Sequence, residues 1–232
     1  MTSFHFRYTL YTKVVYIVNI EQTTEQKILT RIARYIFRYG FSALTMEGAA
    51  EYAQVSKRTL YKRYPNKDAM LIAVVEFQVS RFEAILSSII NDETSACLSK
   101  LQTIIPLLAD FARRFPPALL RDLQRDGGGV WDTIQRLRRE RIYPLLQELL
   151  LQAREEGFLR TEIGPALLTE LLFTTIEGIA NPSVLSRLPF EPREIFSGLF
   201  DVFFNGILRD RGQPLLSLSD DSPYKETLEA LF

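Results

Sequence analysis

Residues Thr45–Lys67, TMEGAAEYAQVSKRTLYKRYPNK, decide how this chain is read. Thr45 is placed to cap a helix running to about Ala53, Gln54 and Val55 make a turn, and Ser56 caps a second helix that Pro65 closes. Val55 just before that cap and Leu60 at the fourth helical position have the spacing of a hydrophobic staple, which fixes the angle at which the chain enters the second helix. Both ends of both helices are therefore marked in the sequence.

At about 100° per residue, Lys57, Arg58, Tyr61 and Lys62 fall within one arc of roughly 140°, with Leu60 on the far side. Every side chain in the arc can donate a hydrogen bond. The major groove of DNA admits a helix and presents acceptors on its base edges and flanking phosphates, so the arc suits it. Charge alone favours the solvated face of an ordinary core helix. Two caps, a staple and a tight turn in one window favour the DNA reading.

With these residues in view, the segment from Thr24 to about Phe82 resembles the DNA-binding domain of TetR-type transcriptional regulators, most closely in GFSALTMEGAAEYAQVSKRTLYKRYPNKDAML. The shared pattern is an aromatic three residues before Gly-Phe, then Thr, Val-Ser-Lys-x-Thr-Leu-Tyr and Pro-x-Lys-Asp, over about a quarter of the chain. Gln54 departs from it where glycine is usual, and Gly48 and Ala49 stand where a polar residue and a larger aliphatic are usual. The resemblance implies an all-α fold: an N-terminal three-helix head with a helix-turn-helix, and a C-terminal helical domain for ligand binding and dimerisation. It implies that Lys57, Arg58 and Tyr61 face base edges with Thr59 near them, and that Thr45, Lys62, Arg63 and Lys67 hold phosphates. Ser56 is chiefly a cap whose helix N-terminus also favours an anion.

The first helix of such a head is legible by itself. In Thr24–Tyr39, Ile28, Leu29, Ile32, Ala33, Ile36 and Phe37 form one stripe at helical spacing, and Lys27, Arg31, Arg34 and Arg38 form another nearly opposite. The chain is formally neutral, with 28 basic and 28 acidic side chains, but Thr24–Met70 carries nine cations against four anions, a net +5. Residues 1–23 add +1, so the remainder holds −6. A basic head on an acidic body favours one-ended approach to a polyanion.

The division expected is an unassigned extension over 1–23, a DNA-binding head over 24–82 with its motif at about 45–64, a helical body over 83–211 and a tail over 212–232. A connector helix should start at Asn66 or Lys67, followed by helices near 95–114, 117–126, 130–156, 165–179 and 192–209, with kinks at Pro106 and Pro144. Gly127-Gly128-Gly129 reads as a hinge or tight connection, since no P-loop lysine follows it. One cysteine, Cys97, rules out an intrachain disulfide and fits a reducing cytoplasm, and the single histidine, His5, leaves little material for metal sites or His-assisted catalysis. No apolar run approaches the roughly 20 residues a membrane helix needs. The expectation is a cytoplasmic protein that is not an enzyme, with no cofactor and no membrane partner.

Two late helices carry more apolar residues than a surface helix needs, and the resemblance implies a homodimer built on Leu168, Leu172, Ile176, Phe196, Phe200, Phe203 and Ile207. A two-fold dimer places two reading helices in successive major grooves about 34 Å apart. The resemblance also implies a small-molecule effector pocket, for which Phe111, Phe115, Trp131, Tyr143 and Phe173 are candidates. In the arginine-rich run after Gln135, Arg136 and Glu140 are spaced for a surface ion pair. The function expected is a ligand-responsive transcriptional regulator, a repressor binding a palindromic double-stranded DNA operator. The alternative is a helical ligand-binding or adaptor module whose head does not read DNA.

Overall fold

In the computed structural model the described residues are 23–113, 119, 122–123, 125, 127–159, 163–180, 184, 187–190 and 192–207. The N-terminal extension up to residue 22 and the tail over 212–232 lie outside them, as does most of the helix expected over 117–126. The described part is helical: α1 (Thr24–Tyr39), α2 (Met46–Ala53), α3 (Lys57–Arg63), α4 (Lys67–Ile90), α5 (Cys97–Arg113), α6 (Gly128–Leu137), a π turn (Arg138–Ile142), α7 (Tyr143–Glu155), α8 (Pro165–Ala180) and α9 (Pro192–Ile207).

The helix starts follow from local chemistry. Thr23 and Gln26 form a reciprocal capping box at α1, and Asn66 accepts the Ala69 N–H at 2.8 Å to start α4. The π turn lies just before Pro144, which has no N–H to return to Glu140; the chain widens instead, and the Tyr143 N–H bonds the Arg138 carbonyl five residues back. At the triple glycine the connection is tight. A Cβ on Gly127 would run into the Leu123 carbonyl, whereas glycine lets its N–H bond that oxygen at 2.9 Å and its own carbonyl receive Val130 at 2.7 Å.

Two apolar cores result. The first joins α1, α2, Leu60 of α3 and Met70, Leu71 and Val74 of α4, and it reaches beyond the head to bury Leu119, Leu123 and Val130. The second joins Phe82–Ile90 of α4 to α5, α7, α8 and α9. Thus α4 is a beam shared by both cores, which part between Val74 and Phe82. Lys100, buried in α5, donates to the Ile90 carbonyl at 2.6 Å and so closes the far end of that beam.

Candidate nucleic-acid interface and cavity

The turn between α2 and α3 forms as its residues dictate. Thr45 accepts the Gly48 N–H at 3.0 Å, Ser56 accepts the Thr59 N–H at 3.0 Å, and the Ser56 and Thr59 hydroxyls bond at 2.8 Å. Gln54 takes the left-handed conformation glycine would take, φ 60° and ψ 43°, and its N–H bonds back to α2. Arg31 of α1 crosses to donate to the Ala53 carbonyl at 2.8 Å, satisfying the C-terminus of α2. One of the four cations in the α1 basic stripe is thus a structural clamp.

Small residues let α2 sit close. Ala49, Ala50 and Ala53 are buried, and the Tyr35 hydroxyl lies 3.4 Å from where a Gly48 Cβ would stand. Leu60 is fully buried, with half-buried Val55 packed against the same core. The staple therefore pins the inner side of α3 and turns its other face outward.

On that outer face Lys57, Arg58, Tyr61, Lys62 and Arg63 are exposed and Thr59 is half-buried. Thr45 and Ser56 are exposed at the two helix starts. Lys57 lies 3.5 Å from Glu47, an exposed pair that water screens and a stronger anion can replace. Arg63 turns toward α1, 3.4 Å from Glu25, whose carboxylate also accepts the Tyr64 hydroxyl at 3.2 Å. Burial, with help from Glu25, pushes the Tyr64 phenol up to about 12, so it remains a donor. Lys67 donates to the Phe41 carbonyl at 2.9 Å. The face most open to solvent is therefore Lys57, Arg58, Tyr61 and Lys62, while Arg63 and Lys67 also tie the head together.

A cavity of about 230 Å³ lies where the two cores part. Its walls come from α1 and the following loop (Ile36, Phe41), from α4 (Val74, Gln78, Phe82), from α6 and the π turn (Trp131, Arg138) and from α8 and α9 (Phe173, Glu177, Phe196). Of the aromatics singled out in the sequence, Trp131 and Phe173 line it. Tyr143 stands behind, stacked on Phe173 with ring centroids 4.0 Å apart. The side chain of Phe111, and Phe115 altogether, lie outside the described residues. Sequence reasoning missed the α4 wall and the head's share, Ile36 and Phe41, because an inward apolar stripe on a connector looks the same whether it meets a neighbour or a void.

The arginine run divides. Arg136 pairs with Glu140 at 3.1 Å on the surface, as its spacing predicts. Arg138 instead lines the cavity, 2.8 Å from Glu177 and with its guanidinium over the Phe173 ring.

On the two late helices Leu168, Leu172, Phe196 and Phe200 are each at most 2% exposed in the single chain, so they fill its own core. Ile176 lines the cavity, Phe203 is half-buried, and the side chain of Ile207 lies outside the described residues. The apolar side chains these helices present to solvent are Leu167, Leu171 and Val202. A helical stripe identifies the apolar side without saying how wide it is, and here it is wide enough to serve an inner core and still leave an outer rim.

Residues 28–74 match the family described as Bacterial regulatory proteins, tetR family. Among relatives, YvaF of Bacillus subtilis (strain 168), an HTH-type transcriptional regulator, is 28% identical over 186 residues, 80% of this chain and 96% of the relative. The nucleoid occlusion factor SlmA of Vibrio vulnificus (strain YJ016) is 31% identical over 166 residues, 68% of this chain and 81% of the relative. In fold the chain is similar to the SmeT–triclosan complex, with a TM-score of 0.65, 17% identity and coverage of 87% and 100%, SmeT being the repressor of the Stenotrophomonas maltophilia multidrug efflux pump SmeDEF. This chain belongs to the TetR family of DNA-binding transcriptional regulators. None of its described helices is long and apolar enough to cross a membrane.

Proposed function

We propose that the protein is a ligand-released repressor that binds a palindromic operator as a homodimer. The observation that carries this reading is the α3 face: four side chains rich in donors on a helix held by two caps, a staple and the Arg31 clamp, aimed away from the core. Arg58 reads base edges with Lys57, Thr59 and Tyr61, while Thr45, Ser56, Lys62, Arg63 and Lys67 contact phosphates. Phosphate contacts set register, and base contacts supply discrimination.

The effector site is the cavity between the cores, with Trp131 and Phe173 in its wall and Tyr143 supporting them. A molecule seated there presses on the head core through Ile36 and Phe41 and on α8 and α9 through Phe173 and Phe196. It therefore favours whichever head orientation leaves room for it, and weakens a grip that requires the other orientation. That SmeT, similar in fold, is a repressor solved with triclosan supports a ligand-responsive reading. The homodimer uses α8 and α9, with Leu167, Leu171 and Val202 on the outer rim and the residues named from the sequence packed beneath.

The well-formed turn at Gln54 argues against a head that has lost DNA reading. The test is anisotropy of labelled DNA from the chain's own upstream region, titrated at several salt concentrations against a scrambled competitor. Binding that survives the competitor and falls steeply with salt supports the repressor, and an operator selection from genomic fragments that returns empty refutes it.

A further inference from the structure

We infer that the cavity between the two cores takes an uncharged, mainly apolar molecule of about ten non-hydrogen atoms. This inference rests on reading that cavity as the effector site, and it concerns what the site admits. Of the described side chains lining it, only Gln78, Trp131, Arg138 and Glu177 carry a polar atom.

The two charges on the wall are already spent on each other. Arg138 donates to Glu177 at 2.8 Å, their side chains are 19% and 29% exposed, and the guanidinium also lies 5.2 Å from the centre of the Phe173 ring. A carboxylate ligand would have to share Arg138 with Glu177, placing two negative charges side by side on one cation, and shed its own water. A cation faces the mirror problem, with Arg138 left uncompensated. Partly buried charges stripped of a partner are costly, so the closed pair acts as a filter against ions of either sign. A hydroxyl or carbonyl carries no such penalty, and Gln78 and Trp131 set polar groups in the same wall.

Size follows from volume. A dry apolar cavity of about 150 Å³ holds benzene, so 230 Å³ at the same occupancy holds roughly nine or ten carbons. A medium-length alcohol or a two-ring hydrocarbon fits that volume.

Trp131 is the only tryptophan in the chain and lines this cavity, so its emission reports occupancy directly. The experiment titrates the full-length protein with 1-octanol and with octanoate near pH 7.5, following Trp131 fluorescence and heats of binding. These probes share a chain and differ in charge. Octanol is expected to saturate with a shift in Trp131 emission, octanoate to bind at least about tenfold more weakly, and Val75→Phe, which fills part of the space, to abolish octanol binding. Glu177→Gln, checked for cooperative melting, leaves Arg138 uncompensated and should strengthen octanoate about tenfold with little effect on octanol. Octanoate binding the wild-type protein as tightly as octanol overturns the inference, and so does absence of octanol binding. Operator binding on the same preparation separates this from the functional reading: operator binding without octanol binding sinks the ligand class alone, and octanol binding without operator binding sinks the repressor alone.

Discussion

Lys67, in the first turn of α4, holds the backbone of Phe41: its ammonium donates to the Phe41 carbonyl at 2.9 Å and lies 4.6 Å from the centre of the Phe41 ring. Phe41 is itself a wall of the cavity. One contact thus ties the start of the connector helix to the loop before α2 and to the ligand space. A charge-assisted hydrogen bond and a cation–π contact at a half-buried site are together worth about 1 to 2 kcal/mol. Lys67→Ala should therefore lower head stability by about that amount in a urea melt. With the phosphate role proposed above, it should also weaken operator and random DNA alike and flatten the salt slope by about one. A stability loss with an unchanged salt slope would assign Lys67 to the fold alone.

Gln54 offers a test in the opposite direction. A non-glycine residue in the left-handed region costs about 1 to 2 kcal/mol, and glycine removes that cost while adding freedom to the unfolded chain, so Gln54→Gly should stabilise the protein by up to about 1 kcal/mol. Gln54→Val, β-branched at the same φ, should destabilise it by more than about 1 kcal/mol. Thermal melts of the pair settle the matter, and a destabilising Gln54→Gly would show that the left-handed turn is not where the strain resides.

Much of this head was legible beforehand because its signals are local. Thr45, Ser56 and Asn66 each satisfy an N–H three residues on, and Leu60 needs only the helical period to be placed inside. The roles of Arg31, Arg63 and Lys67 were not legible, because each depends on a residue 22 to 38 positions away that sequence spacing does not bring near. The same holds for Arg138. Its neighbour Arg136 has a partner at i+4, while its own partner Glu177 is supplied by the packing of α8 against the π turn. The late helices show the same limit: periodicity locates a stripe, and only packing shows that Leu168 and Phe200 face inward and Leu171 and Val202 outward.

Cys97 predicts an alkaline response. Buried in the second core with its Sγ 3.9 Å from the Leu149 carbonyl, its thiol is pushed up to about 11 by burial, with Glu156 adding and Lys100 opposing. A thiol harder to ionise when folded contributes stability fully present below its unfolded value, near 8.5, and lost as pH rises toward 11. The unfolding free energy from urea melts should fall over that window by roughly 3 kcal/mol, and Cys97→Ala should remove much of the fall. Tyr64, pushed up to about 12, extends the decline from about pH 10 upward with the same sign. An equal decline in Cys97→Ala would place the alkaline weakness elsewhere. The native thiol should also resist alkylation at pH 8 until the chain unfolds.

The cavity's position predicts coupling without direct contact with DNA. Val74 belongs to the head core, and both Val74 and Phe82 line the cavity, about two turns apart on α4. Phe82→Ala, which enlarges the space on the body side, should cost about 3 kcal/mol in stability and weaken ligand-induced release of operator more than it weakens operator binding itself. Anisotropy measured with and without 1-octanol reads both quantities. Equal losses in the two would mean that the cavity supports the fold and carries no signal.

The central claim is that the outer face of α3 reads base sequence, and Arg58 tests it most directly. Arg58 is exposed beside Lys57 and Tyr61, and among the described residues no carboxylate holds it in an ion pair. The measurement is the ratio of affinities for a selected operator and for random DNA, wild type against Arg58→Ala, at one fixed salt concentration. The account predicts that Arg58→Ala lowers operator affinity by about 1 to 3 kcal/mol, relaxes preference at one position in each half-site and leaves random-DNA affinity much less affected. Equal losses on operator and random DNA would contradict it and make Arg58 a phosphate contact.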